Sequence, residues 1–213
     1  MKYLDLFNEL QLSRDYIHDK KSNADWRYNI DTATKRVYVE VQETKTGLDW
    51  IQNFKVLPVT VTNSCGEQIT VPLGAKQQAD AIVADVMSHV TDVMSHAAFT
   101  DFDWYFCGWS QGGMSAGIAG FMLKGVVKSV HYIGWGTPAF LWGKKSLATF
   151  INALDSVVSF LYTDDWIKSL IPLYKRPVSY DVKPVNPDVP KTLDQRHRVY
   201  GHCFYSTYYK EAF

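Results

Sequence analysis

The residues of this 213-residue chain best placed to do chemistry are Gly108-Trp109-Ser110-Gln111-Gly112-Gly113. A serine with glycines two positions before and two after suits a sharp turn that presents a hydroxyl between the end of a strand and the start of a helix. The flanks have that form: apolar Trp104-Tyr105-Phe106-Cys107 reads as a strand, and Met114 to Gly120, rich in small residues, reads as a helix. Such a turn strains the serine backbone, and only residues without a Cβ let strand and helix approach that closely. Gly-x-Ser-x-Gly alone arises by chance in about one chain in fifteen of this length, so the strand and helix around it carry the assignment. The other reading of the same residues is a glycine-rich turn with an ordinary helix-capping serine.

A serine hydroxyl is a weak nucleophile at neutral pH and needs a base held in place by a third group. Where a strand–turn–helix carries the serine, the chain order is serine, acid, histidine. Candidates follow in that order: Asp164 or Asp165 after the apolar run Val157 to Tyr162, then His202 or His197. His202 follows a glycine and precedes Phe204, Tyr205, Tyr208 and Tyr209, an aromatic setting able to hold an imidazole. His197 lies between Arg196 and Arg198, as a surface histidine would. Either aspartate could instead cap a short helix starting at Trp166.

The elements needed to position these groups can be read from periodicity. Strand Trp104–Cys107, helix Ser110–Lys124, strand Val126–Ile133, helix Lys144–Ala153 and strand Val157–Tyr162 alternate, which predicts a mostly parallel sheet with helices on both faces. Upstream, residues 1–25 are expected to carry an N-terminal helix packing on the domain, with Leu4, Phe7, Leu10 and Ile17 at helical spacing. A hairpin of Trp26–Asp31 and Arg36–Gln42 follows, then extended runs Val59–Thr62 and Gln68–Val71, and a long helix over Ala75–Ala98. Pro172, Pro177, Pro184, Pro187 and Pro190 make 172–198 a proline-rich excursion, with a strand at Val178–Val182. Within the long helix Asp85-Val86-Met87-Ser88-His89 recurs as Asp92-Val93-Met94-Ser95-His96. The two histidines are then about 10 Å apart along the axis, too far for one metal ion.

Composition narrows the function classes. Lys+Arg 22 balances Asp+Glu 22, so no general field favours nucleic acid. The 3 cysteines, Cys65, Cys107 and Cys203, offer neither a disulfide framework nor a zinc knuckle. The acidic start Met1 to Glu9 lacks the apolar stretch of a secretory peptide, and no run reaches a membrane span. The expectation is a cytoplasmic protein, export by another route left open, with no metal, no cofactor and no transmembrane segment.

The sequence resembles the class 3 lipases, the family of the fungal triacylglycerol lipases, from about Arg36 to Tyr205. Arg36 to Thr44, followed by Asp49-Trp50-Ile51-Gln52-Asn53, is similar to the family's strand ending in Arg-Gly-Thr/Ser and its Asp-Trp segment. Gly134-Trp135-Gly136-Thr137-Pro138 resembles its Phe-Gly-x-Pro turn. Asp165 to Pro172 resembles its acid motif with one residue inserted, and His202-Cys203-Phe204-Tyr205 its terminal His-x-x-Tyr. The resemblance implies a compact single-domain α/β-hydrolase over 1–213. It implies Ser110 as nucleophile, His202 as base, Asp165 as orienting acid, and Thr44 with Gln111 as oxyanion-hole residues. Residues 45–54 fall where the family has its lid, and Leu48, Trp50, Ile51 and Phe54 give them an apolar face suited to transient contact with a lipid interface. The activity implied is serine-dependent hydrolysis of a carboxylic ester, lipid-like, through an acyl-enzyme. Two alternatives stand beside it: a thioesterase or amidase on the same scaffold, and a catalytically idle hydrolase-fold binding or structural module, hinted at by Glu43 in place of the family's glycine and Trp109 in place of its histidine.

Overall fold

A computed structural model describes residues 16–42, 56–93, 99–162, 173–177 and 179–182. Alternating side chains build its centre. On β3 (Arg36–Gln42), Val37, Val39 and Val41 enter the main core while Tyr38 and Glu40 point to the other face of the sheet. The sheet has seven strands in the order β1 (Ile17–Asp19), β2 (Ala24–Asp31), β3, β6 (Asp103–Trp109), β7 (Ser129–Trp135), β9 (Ser156–Tyr162) and β11 (Ser179–Val182). Strands β1, β2 and β3 pair antiparallel; from β3 onward every pairing is parallel. A side hairpin of β4 (Pro58–Thr62) and β5 (Gln68–Pro72) and the short pair β8 (Leu141–Trp142) with β10 (Tyr174–Lys175) flank it.

The described helices α1 (Leu73–Val93), α2 (Gln111–Leu123) and α3 (Gly143–Ala153) share one core with the Val37, Phe106, Val130 and Tyr132 face of the sheet. Helix α2 is apolar all round because it is enclosed on every side, between the sheet, α1 and the Phe140–Phe150 pair. Its orientation is pinned by a buried chain of polar groups. Ser115 Oγ donates to Gln78 Oε1 at 2.6 Å, and Gln78 Nε2 donates to the Ser22 carbonyl at 3.3 Å. One contact set thereby joins α2, α1 and the β1–β2 turn. On the opposite face of the sheet Glu40 is buried in an ion pair with Arg27.

Three expectations change. Ile17 is not helical: Ile17–Asp19 is a strand opposite Trp26 to Ala24, so the helix expected over 1–25 does not extend through these residues. The reason is the turn, where Asp19 accepts from the Ser22 N–H at 2.7 Å and Asn23 takes a positive φ of 54°. Residues 1–15 lie outside the described residues. Strand β7 begins at Ser129 and runs to Trp135 rather than spanning Val126–Ile133, because Gly125 turns the chain (φ 88°) and Val126 and Val127 close that turn onto Leu123. Finally, Tyr174–Lys175 inside the proline-rich stretch is a strand, opposite Trp142 and Leu141.

At the amino edge of the parallel strands a polar chain crosses β6, β7 and β9. Ser129 Oγ donates to Asp103 at 2.6 Å, so the His131 Nε2–H donates to Ser129 Oγ (3.1 Å) and Nδ1 accepts from Ser156 Oγ (2.8 Å). The His131 ring stacks on Tyr105, centroids 4.5 Å apart. Burial pushes the His131 pKa down, more than the nearby Asp155 and Asp103 raise it. Asp103 is held below the usual carboxylate range: burial opposes this, but the Ser129 hydroxyl and Lys128 outweigh it.

Candidate active site

Strand β6 ends at Trp109 and α2 begins at Gln111, which leaves Ser110 alone to make the turn. It does so with φ 51° and ψ −125°. The other described non-glycine residues with positive φ, Asn23 and Lys35, sit in hairpin turns. At Ser110 the conformation costs about 1–3 kcal/mol and is imposed from both sides. Ser110 N–H donates to the Trp135 carbonyl of β7 at 2.8 Å, and Gly113 N–H donates to the Ser110 carbonyl at 3.1 Å. The Ser110 side chain makes no capping bond to α2, so the helix-cap reading of this serine fails.

The glycines explain the approach of strand to helix. A Cβ on Gly108 would lie 2.5 Å from the Gly112 carbonyl carbon, and one on Gly112 would run into the Val41 carbonyl oxygen. Gly112 therefore brings the end of β3 against the turn, and β3 ends at Gln42 with its carbonyl beside Gly112. Thr44, two residues further on, and Glu43 lie outside the described residues. Gln111 opens α2, so its N–H is one of the four that a helix does not use internally.

The acid and base are approached only from their neighbours. Strand β9 lies beside β7, with Gly136 N–H donating to the Phe160 carbonyl at 2.8 Å. It ends at Tyr162, so the aspartates 164 and 165 follow within three residues of the same carboxyl edge that holds Ser110. Asp164, Asp165, His197, His202 and the lid candidate 45–54 lie outside the described residues. Of the expected site residues the structure thus places Ser110 and Gln111, side by side at the turn.

Among the described residues, Cys107 and Tyr132 offer no competing nucleophile. Cys107, three residues before Ser110, is fully buried, its thiol 3.4 Å from the Val39 carbonyl and its pKa pushed well up by burial, then by Glu40. Tyr132 lies deep beneath the turn, its hydroxyl 3.4 Å from Thr137 Oγ1 and its pKa raised by burial. The part of the site not foreseen is the Trp135 carbonyl that holds Ser110. Its only trace in the sequence is Gly134-Trp135-Gly136, a strand end crowded with glycine. Among the described residues no group of histidine, cysteine and carboxylate side chains could hold a metal, and no helix is long and apolar enough to cross a membrane.

The class 3 lipase family model matches residues 38–175, about two thirds of the chain, and the chain belongs to that family. By family it is a serine-dependent carboxylic ester hydrolase with the α/β-hydrolase fold. Among solved structures it is similar to a triacylglycerol lipase from Penicillium expansum (13% identity, TM-score 0.61, 80% of this chain and 69% of that one). It is also similar to the triacylglyceride lipase of Rhizomucor miehei (12%, 0.65, 81% and 66%) and a lipase from Rhizopus microsporus var. chinensis (17%, 0.65, 83% and 63%). The chain spans about two thirds of the length of these fungal lipases, and at such identities the likeness is one of fold. Among curated protein sequences none matches.

Proposed function

We propose that this chain hydrolyses lipid-like carboxylic esters through an acyl-enzyme on Ser110. The observation that carries the reading is the strained, non-capping Ser110 at the carboxyl edge of a parallel sheet, with the N–H of Gln111 beside it. Ser110 Oγ attacks the ester carbonyl as His202 takes its proton. The tetrahedral oxyanion is met by the N–H groups of Gln111 and Thr44, and the alcohol leaves with the proton from His202. Water then attacks the acyl-serine by the same route in reverse, releasing the acid. Asp165 holds the imidazole in the tautomer this requires. No cofactor enters.

A catalytically idle module has no use for a residue held at 1–3 kcal/mol of strain, which favours the enzyme. Ser110 is only 3% exposed, so an ester reaches it only if a covering segment moves. Residues 45–54, with Leu48, Trp50, Ile51 and Phe54 on one face, are our choice for that lid and for the contact with lipid. The deciding experiment is a panel of chromogenic esters of graded chain length, with and without a fluorophosphonate. Hydrolysis blocked by label at Ser110 supports the reading, and label at another serine overturns it.

A further inference from the structure

Apolar side chains are exposed together at one place. Leu57 (65% exposed), Leu173 (63%) and Trp142 come from three separate stretches of chain. The small β8–β10 sheet gathers them: Tyr174 pairs with Trp142, their rings 5.0 Å apart edge to face, and Tyr174 OH donates to the Val56 carbonyl at 2.7 Å. Leu57 is fixed in turn by the bond from Leu73 N–H to its carbonyl, 2.9 Å.

The rim of this patch is basic. Lys144 and Lys145 follow Trp142 at the start of α3, Lys175 follows Tyr174, and all three are exposed. None forms an ion pair with another described residue. Two lysines in the first turn of a helix oppose its dipole, a local cost with no ion-pair partner among the described residues. No aspartate or glutamate occurs in 56–66, 136–154 or 173–177, the described stretches that carry these side chains. Among the described residues the rim around the exposed tryptophan and leucines is therefore positive. Seven residues of chain lead from Trp135, which holds Ser110, to Trp142, a span of at most about 25 Å.

We infer that Leu57, Trp142 and Leu173, rimmed by Lys144, Lys145 and Lys175, dock on an anionic lipid surface. The apolar groups enter the interface, tryptophan at headgroup depth, and the lysines meet the phosphates. The inference rests on the lipid-ester reading of Ser110 for the nature of the surface, but its test does not depend on turnover.

Full-length Ser110→Ala protein is mixed with vesicles of phosphatidylcholine, or of phosphatidylcholine with phosphatidylglycerol, and the bound fraction is measured by sedimentation at low and high salt. Partition should favour the anionic vesicles and fall with salt. Each Lys→Gln change at 144, 145 and 175 should weaken it about fivefold, and the triple variant about a hundredfold. Leu173→Ser should weaken binding to both vesicle types by about tenfold or more. In the chain with Ser110 intact, the triple variant should hydrolyse a short soluble ester as wild type does. Equal partition to both vesicle types, a triple variant that binds like its parent, loss of soluble-ester hydrolysis in that variant, or self-association through the patch without vesicle binding would overturn the inference. Anionic binding in a wild-type chain that hydrolyses no ester would overturn the Ser110 reading and leave the docking surface standing.

Discussion

The two edges of the parallel sheet each hold a serine and set it in opposite ways. At the amino edge Ser156, His131, Ser129 and Asp103 form a continuous hydrogen-bonded chain, each donor matched to an acceptor, on strands with ordinary backbone. At the carboxyl edge Ser110 is forced to φ 51° and its hydroxyl does not cap the helix it begins. A serine, a histidine and an aspartate in contact are therefore not a catalytic site. The first set ties β6, β7 and β9 together and spends its hydrogen bonds on one another. The second is held by backbone bonds and glycine contacts in a positive-φ conformation that the serines of the first set do not share. Backbone strain, not residue type, separates the two.

The contrast can be broken most sharply at the serines themselves. Ser110→Ala should abolish ester hydrolysis and fluorophosphonate labelling with the fold intact by circular dichroism, whereas Ser156→Ala should leave kcat/KM within about twofold. Labelling at Ser156 in the Ser110→Ala protein would erase the distinction. Next in size, His202→Ala should lower kcat on the order of 10⁴ to 10⁶ and Asp165→Asn by orders of magnitude, while His197→Ala and Asp164→Asn cost little. Steady-state kinetics of the four variants on one soluble ester settles the pairing. Gly112→Ala presses a methyl group onto the Val41 carbonyl, rigid backbone on both sides. It should destabilise by about 1–3 kcal/mol or more and lower activity out of proportion to unfolding, as a melting curve and residual activity at a temperature below the transition would reveal.

The smallest effect belongs to the amino edge. His131 has a folded pKa below its ordinary value of 6.5, chiefly through burial, so the unfolded chain binds a proton more readily. Its contribution to stability is complete above about pH 6.5 and is lost as pH falls through the depressed folded value. Protonation also leaves Nδ1 with a hydrogen where it now accepts from Ser156. His131→Gln should cost about 1 kcal/mol at neutral pH and flatten the decline in stability below pH 6.5, measured by urea unfolding across pH. Asp103, whose pKa is lowered, continues the decline as the pH falls below its ordinary value of 3.8 and through the lower folded one. A variant with the same pH profile as wild type would remove His131 from this account.

Of the fold, what the sequence alone could determine was the local and the periodic. The alternation of Val37, Val39 and Val41 named a strand, and the glycines around Ser110 named a sharp strand-to-helix turn, because each depends on steric rules acting within a few residues. The order of strands and helices named the parallel sheet for the same reason. Tertiary structure alone decided matters that join distant parts of the chain. Ile17 became a strand because Ala24 to Trp26 lay alongside with unpaired ladder positions, and Tyr174 because Trp142 and Val56 met it, Val56 and Tyr174 being 118 positions apart in the chain. Asp103, Ser129, His131 and Ser156 carry no spacing motif. Their hydrogen bonds exist only because strand register sets Asp103 beside Ser129 and His131 beside Ser156. Side-chain partners across a sheet are chosen by register, which is a property of the packed whole, so no window of sequence contains it.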